Sequence, residues 1–126
     1  MSWDVGTAFR ETEYGHLCFV VAVDGDWRAV VSLASYTTNV RGDDSCILEK
    51  GEHPFITHRT YVNYRMAARY KISQLDDRLA HRSISAYPHP ADEILLKKML
   101  EGALKSQYIE ARIHRMLEKQ LNSMDA

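Results

Sequence analysis

The densest group of side chains able to do chemistry lies in Glu52-His53-Pro54-Phe55-Ile56-Thr57-His58-Arg59-Thr60-Tyr61-Val62-Asn63-Tyr64-Arg65. Imidazole titrates near neutral pH, so His53 and His58 are candidates to give and take a proton in phosphodiester cleavage. Guanidinium groups such as Arg59 and Arg65 stabilise charge developing on phosphate oxygens, and tyrosine faces stack on bases. In an extended stretch Tyr61, Asn63 and Arg65 share one face, while Val62, Tyr64 and Met66 share the other. The first set makes a polar surface suited to nucleic acid; Tyr64 belongs with the core. A plainer account has His53 and His58 hydrogen-bonded to backbone around a tight turn.

The charge pattern draws attention to the same region. Residues 1–58 carry four basic side chains (Arg10, Arg28, Arg41, Lys50) against nine acidic ones. Residues 59–82 carry Arg59, Arg65, Arg69, Lys71, Arg78 and Arg82 against only Asp76 and Asp77. From Ser83 onward six basic residues face six acidic ones, and the whole chain nets −1. A local positive excess in an acidic protein marks a contact surface for phosphates or acidic partners, or else a solvated strand face.

Other chemistries lack their motifs. There is no Cys-x-x-Cys, His-Glu-x-x-His, Gly-x-x-x-x-Gly-Lys or Gly-x-Ser-x-Gly, so neither a cofactor nor a metal is expected. Cys18 and Cys46 both sit in apolar runs and read as small core residues of a reducing compartment, although spacing alone leaves a bridge between them open. The start, Met-Ser-Trp-Asp-Val-Gly, is no secretory leader, and no run is long enough to span a bilayer. The expected location is the cytoplasm.

A chain of 126 residues, 45% hydrophobic and 26% charged, fits one globular domain. Strands are expected over 3–9, 16–23 and 27–36, the last two joined as a hairpin through Asp24-Gly25-Asp26. A surface loop over 37–44 leads to a short strand at 46–49, and Pro54 forces a turn. Strands at 61–64 and 67–72 complete a small barrel or strongly bent sheet within residues 1–72. A helical extension occupies 73–126. Ser73 with Asp76 reads as the cap of a first short helix, and Pro90 as the opening of a second. Leu96, Met99, Leu100, Ala103 and Leu104 form one apolar stripe. Ile109, Ile113, Met116, Leu117 and Leu121 form another, on a helix capped by Ser106. The stripes cover the barrel, mediate dimerisation or receive a partner. The fold class is therefore α+β.

The string Gly51-Glu52-His53-Pro54-Phe55-Ile56, followed by Thr60-Tyr61-Val62-x-Tyr64, resembles the PemK/MazF toxins of bacterial toxin–antitoxin systems. Gly6-Thr7-Ala8-Phe9, Gly15-His16 before an apolar strand, and Val30-Val31-Ser32-Leu33-Ala34-Ser35 resemble the preceding strands of that family. The resemblance implies an SH3-like barrel, a homodimer, a cognate antitoxin and metal-independent cleavage of single-stranded RNA through the ribose 2′-hydroxyl. It implies Ser35 as the hydroxyl closing the third strand, which joins His53, His58 and Arg59, the candidates read from the segment itself, as the catalytic set. The family's Gly-x-Arg-Pro entry to its second strand is Gly15-His16-Leu17-Cys18 here, with Arg10 the substitute cation. Substrate binding then falls to Arg10, His16, Tyr61, Asn63 and Arg65.

A different class of toxin binds a protein target, for example the DNA sliding clamp. Gln74-Leu75-Asp76-Asp77-Arg78-Leu79 begins like a clamp-binding peptide, lacks its aromatic end, and equally reads as a capped helix.

Overall fold

The computed structural model describes residues 1–37 and 43–125. The chain runs β1 (Ala8–Glu11), β2 (Leu17–Asp24), β3 (Trp27–Ser35), β4 (Ile47–Leu48), β5 (Thr60–Lys71), α1 (Ile72–Ala80), β6 (Ile84–Tyr87), α2 (Glu93–Lys105) and α3 (Ala111–Asp125). The strands form one antiparallel sheet in the order β4-β5-β3-β2-β1-β6, so the α+β class holds. The barrel does not close. Its edge strands β4 and β6 pair on one side only among the described residues. No helix among these residues is long and apolar enough to cross a membrane.

The β2–β3 hairpin turns where expected, through a two-residue loop in which Gly25 supplies φ +57°. The first strand starts later than its apolar pattern suggests. Trp3 (φ +55°) and Gly6 (φ +95°) hold the preceding residues in turns, and ladder pairing begins at Ala8. The two strands expected at 61–64 and 67–72 are one strand, β5, with a wide bulge. Ser32 pairs with Asn63 and Val30 with Ala68, so residues 64–67 lie opposite Val31 alone. Extra residues on one side bend a strand and break its alternation of faces.

A second correction concerns the division at residue 72. After α1 the chain returns to the sheet as β6, pairing Ile84–Tyr87 with Glu11–Ala8, so the expected helical tail contains a strand. The cap of α1 also differs. Gln74 Oε1 accepts the Lys71 N–H at 2.7 Å, while Asp76 accepts the Trp3 indole N–H at 2.8 Å. Asp92, not Pro90, caps α2 by accepting the Leu95 N–H at 2.8 Å. Ser106 ends α2 rather than starting α3, and Glu110 accepts the Arg112 and Ile113 N–H groups at the head of α3.

Both helical stripes turn inward. Leu95, Leu96, Met99, Leu100 and Ala103 of α2, with Ile113, Met116, Leu117 and Leu121 of α3, bury against Phe19, Val21, Ala29, Val31, Val62 and Tyr64. Each fully buried leucine contributes about 1.5–3 kcal/mol. That burial leaves these stripes unavailable for dimerisation. The opposite face of the sheet carries a smaller cluster of Trp3, Phe9, Cys18, Val20, Val30, Leu75 and Ile84, covered by α1. β2 lies between the clusters, which is why Leu17–Ala22 is buried continuously.

Candidate active site

Ser35 ends β3 and pairs with Thr60 at the start of β5. The Tyr36 N–H donates to the Arg59 carbonyl at 3.0 Å and ties the loop before β5 to the end of β3. This arrangement brings Ser35 Oγ within 2.7 Å of His58 Nε2, while Thr57 Oγ1 lies 3.3 Å from His58 Nδ1. With the proton on Nδ1 donated to Thr57, Nε2 carries the basic lone pair and accepts the Ser35 hydroxyl. His58 and Ser35 are both exposed, so a substrate reaches the ring. Arg59 is adjacent. Its Nε donates to Glu49 Oε1 at 2.7 Å, and among the described residues its terminal nitrogens take no hydrogen bond.

His53 has a different environment. It is 4% exposed, and its Nδ1 accepts the Phe55 N–H at 3.1 Å. The proton must then sit on Nε2, which donates to the His89 carbonyl at 2.8 Å. Phe19 and Tyr87 flank the ring at 5.2 and 5.9 Å. Both nitrogens are committed to backbone, so His53 has no atom left for proton transfer. It fastens the Pro54 turn to the segment between β6 and α2.

The β5 bulge takes Arg65 off the expected Tyr61–Asn63–Arg65 face. Arg65 stacks on Tyr108 beyond the end of α2, with its Cζ 4.3 Å from the ring centre. Tyr61 is buried and meets Tyr36 edge-to-face at 6.1 Å. A hydrogen bond to Asp44 pushes the Tyr36 phenol up. Asn63 instead lines a groove of about 460 Å³ on the sheet face that carries α1. Met66, Val30 and Phe9 supply apolar walls, and Glu11, His16, Tyr14, Tyr70 and Arg78 supply polar ones. His16 points Nδ1 at the Leu33 carbonyl, 3.2 Å away, which fixes its proton there and leaves Nε2 as an acceptor. Arg10 stays outside the groove, its Cζ 5.4 Å from the Phe55 ring centre and its Nε 3.4 Å from the Gly15 carbonyl.

Thus Ser35 and His58 come together, Arg59 follows them in sequence but turns its side chain to Glu49, His16 and Asn63 share a groove, and His53, Arg10, Tyr61 and Arg65 stand apart from both. Neither Ser35 nor His58 lines the groove; β3 residues Val30–Ala34 do, so the groove ends one strand position before Ser35. Tyr14, Tyr70 and Glu11 were not singled out in the sequence, and Thr57 and Arg78 stood out only as members of the dense segment and of the basic excess.

Neither cysteine is a nucleophile. Burial, reinforced by the charge of Glu11, pushes the Cys18 thiol up to about 12, and burial pushes Cys46 up to about 11. Both are free and lie in different core clusters, so the bridge left open by the sequence is not formed. The clamp-like peptide is built into the fold, with Gln74 capping α1 and Leu75 fully buried. Among the described residues no three His, Cys, Asp or Glu side chains gather as metal ligands would.

Comparison with known proteins returns no matching family model, no matching curated protein and no matching solved structure.

Proposed function

We propose that the chain is a cytoplasmic toxin of a toxin–antitoxin pair that cleaves single-stranded RNA without a metal. The observation that carries the reading is the 2.7 Å contact between Ser35 Oγ and the exposed His58 Nε2. A base held by one hydroxyl, with an arginine next to it in sequence, is little equipment. It is enough where the substrate brings its own nucleophile, because the ribose 2′-oxygen already lies next to phosphorus. His58 Nε2 removes the 2′-hydroxyl proton, the 2′-oxygen bonds to phosphorus, and the P–O5′ bond breaks. The 5′-oxygen takes its proton from solvent water, the other product keeps a 2′,3′-cyclic phosphate, and His58 then returns its proton to solvent. Arg59 stabilises the extra charge on the phosphate oxygens through its terminal nitrogens. The groove holds the bases, with Tyr14 and Tyr70 for stacking and His16 and Asn63 for hydrogen bonds.

A second reading, growth arrest through a protein target, has support in the apolar wall of the groove, where Met66 is 66% exposed. Inducing the chain alone in a bacterial host separates the two. The nuclease reading expects RNA decay before DNA synthesis stops, and relief of growth arrest in H58A. Arrest with intact RNA that persists in H58A supports the protein target and rejects the nuclease.

A further inference from the structure

A second recess, of about 290 Å³, opens where α3 meets β5 beside the β2–β3 hairpin. Arg69 of β5 and Arg112, Arg115 and Lys119 of α3 line it, with Asp24 and Met116. The three α3 cations stand at i, i+3 and i+7, which sets them on one helix face over about 10 Å. Four cations therefore face one lining carboxylate. The ion pairs among the described residues join Arg59 to Glu49, Lys97 to Asp125 and Lys98 to Glu52, and none involves these four. Glu110 accepts the Arg112 and Ile113 N–H groups, which together with the nearby charges of Arg112 and Arg69 hold its carboxyl below the usual range, so a second carboxylate acts on the cluster. The Trp27 indole stands beside the recess, with Arg69 Cζ 4.3 Å and Lys71 Nζ 5.4 Å from its ring centre.

Four cations gathered from residues far apart in sequence outnumber the carboxylates near them, repel one another and attract a polyanion. A basic track several residues long follows the backbone of single-stranded nucleic acid; the Trp27 face is already covered by Arg69 and Lys71, so the contact is to phosphates rather than to bases. A membrane surface fits less well, because Ile113, Met116, Leu117 and Leu121 face the core and α3 has no apolar side to insert. We infer that this recess is a phosphate-backbone docking site for single-stranded nucleic acid, distinct from the Ser35–His58 pair. Arg59 and Arg69 flank most of β5, so the two sites lie no more than about 35 Å apart. One RNA strand can span that distance, anchored at α3 and cut at His58. The anchoring role rests on the proposed nuclease activity; the binding itself does not.

The test uses the full chain and a fluorescein-labelled single-stranded deoxyoligonucleotide, which lacks the 2′-hydroxyl and cannot be cut. Fluorescence anisotropy across a sodium chloride series gives affinity against salt. Wild type is expected to bind, with log K falling linearly against log salt. R112Q/R115Q/K119Q is expected to bind at least tenfold more weakly at low salt, with a slope shallower by about 2, since each lost phosphate contact removes about 0.7. K97Q/K98Q/K105Q, which removes three cations from α2, should keep the wild-type slope. If the triple variant fails to fold by circular dichroism, R115Q and K119Q singly should each lower the slope by about 0.7. Wild type that ignores the oligonucleotide, binds only anionic phospholipid vesicles, or shows the same slope in the α3 variants overturns the docking site. Binding that behaves as stated, with RNA left uncut, leaves the docking site standing and removes the proposed reaction.

Discussion

The two faces of the sheet are built to different standards of closure. On one, α2 and α3 cover Phe19, Val21, Ala29, Val31 and Val62 with nine inward-facing residues, and the buried Tyr64 hydroxyl donates to the Met99 carbonyl at 2.6 Å. On the other, the nine-residue α1 buries only Leu75, and an open groove remains beside it. Polar groups follow the same division. The covered face holds a few satisfied ones, whereas the open face exposes His16, Asn63 and Arg78 along its groove. Stability concentrated on one side of a shared sheet leaves the other side free to stay open for a ligand.

The largest expected effects test that contrast. Leu117 and Leu75 are both 0% exposed, the first under the covered face and the second under α1. Truncating a buried leucine to alanine costs about 2–5 kcal/mol, depending on how far the surroundings collapse. Leu117→Ala should fall near the upper end, because helices and sheet hold the cavity open. Leu75→Ala should fall near the lower end, because α1 borders open space and can settle. Urea unfolding followed by circular dichroism measures both, and equal or reversed losses would break the contrast.

A smaller loss is expected at Gly102, where α2 approaches β4 and β5. A Cβ there would sit 2.6 Å from both Cys46 Cβ and Tyr64 Oη, and 2.9 Å from the Ser45 carbonyl oxygen. Alanine favours a helix over glycine by about 1 kcal/mol, but overpacking costs about 1–3 kcal/mol. Gly102→Ala should therefore destabilise the fold by up to about 2 kcal/mol. A more stable variant in the same urea assay would show that α2 has slack against the sheet.

The smallest expected effect lies at the rim of the covered face. Partial burial alone would raise the Glu52 carboxyl, but hydrogen bonds from Lys98 and the Glu49 N–H hold it below its usual range. A depressed carboxyl contributes stability above its unfolded pKa and loses it as pH falls through the folded value. Glu52→Gln should cost about 0.2–1 kcal/mol at neutral pH. The gap from wild type should close in acid, and a gap that persists there would assign the loss to packing.

What the sequence revealed depended on range. The hairpin through Gly25, the Pro54 turn and most of the inward stripes of α2 and α3 follow short-range rules and stand where those rules put them, although Ile109 falls before α3. β6 was missed because Ile84–Tyr87 has no distinctive pattern and becomes a strand only by pairing with β1, some seventy residues earlier in the chain. The β5 bulge was equally invisible, and it carried Arg65 away from Asn63. His53 and His58 are identical in type and five residues apart, yet one is sealed between backbone groups and the other is open. Ser35 and His58 were both named, but a contact across 23 residues cannot be read from either alone. The basic face of Arg112, Arg115 and Lys119 was hidden in a tail whose charges balance overall, and the approach of Arg69 to it depends on tertiary packing. The loop expected over 37–44 lies mostly outside the described residues.

The most direct test of the central claim is single-turnover cleavage of end-labelled single-stranded RNA by wild type and H58A, side by side in excess chelator. Wild type should cut and leave 2′,3′-cyclic phosphate ends identifiable by mass spectrometry. H58A should remain folded and lose a factor of about 10²–10⁴ in rate, the usual worth of general acid–base assistance. RNA left intact by wild type, or cut equally fast by H58A, would contradict the assignment of catalysis to His58.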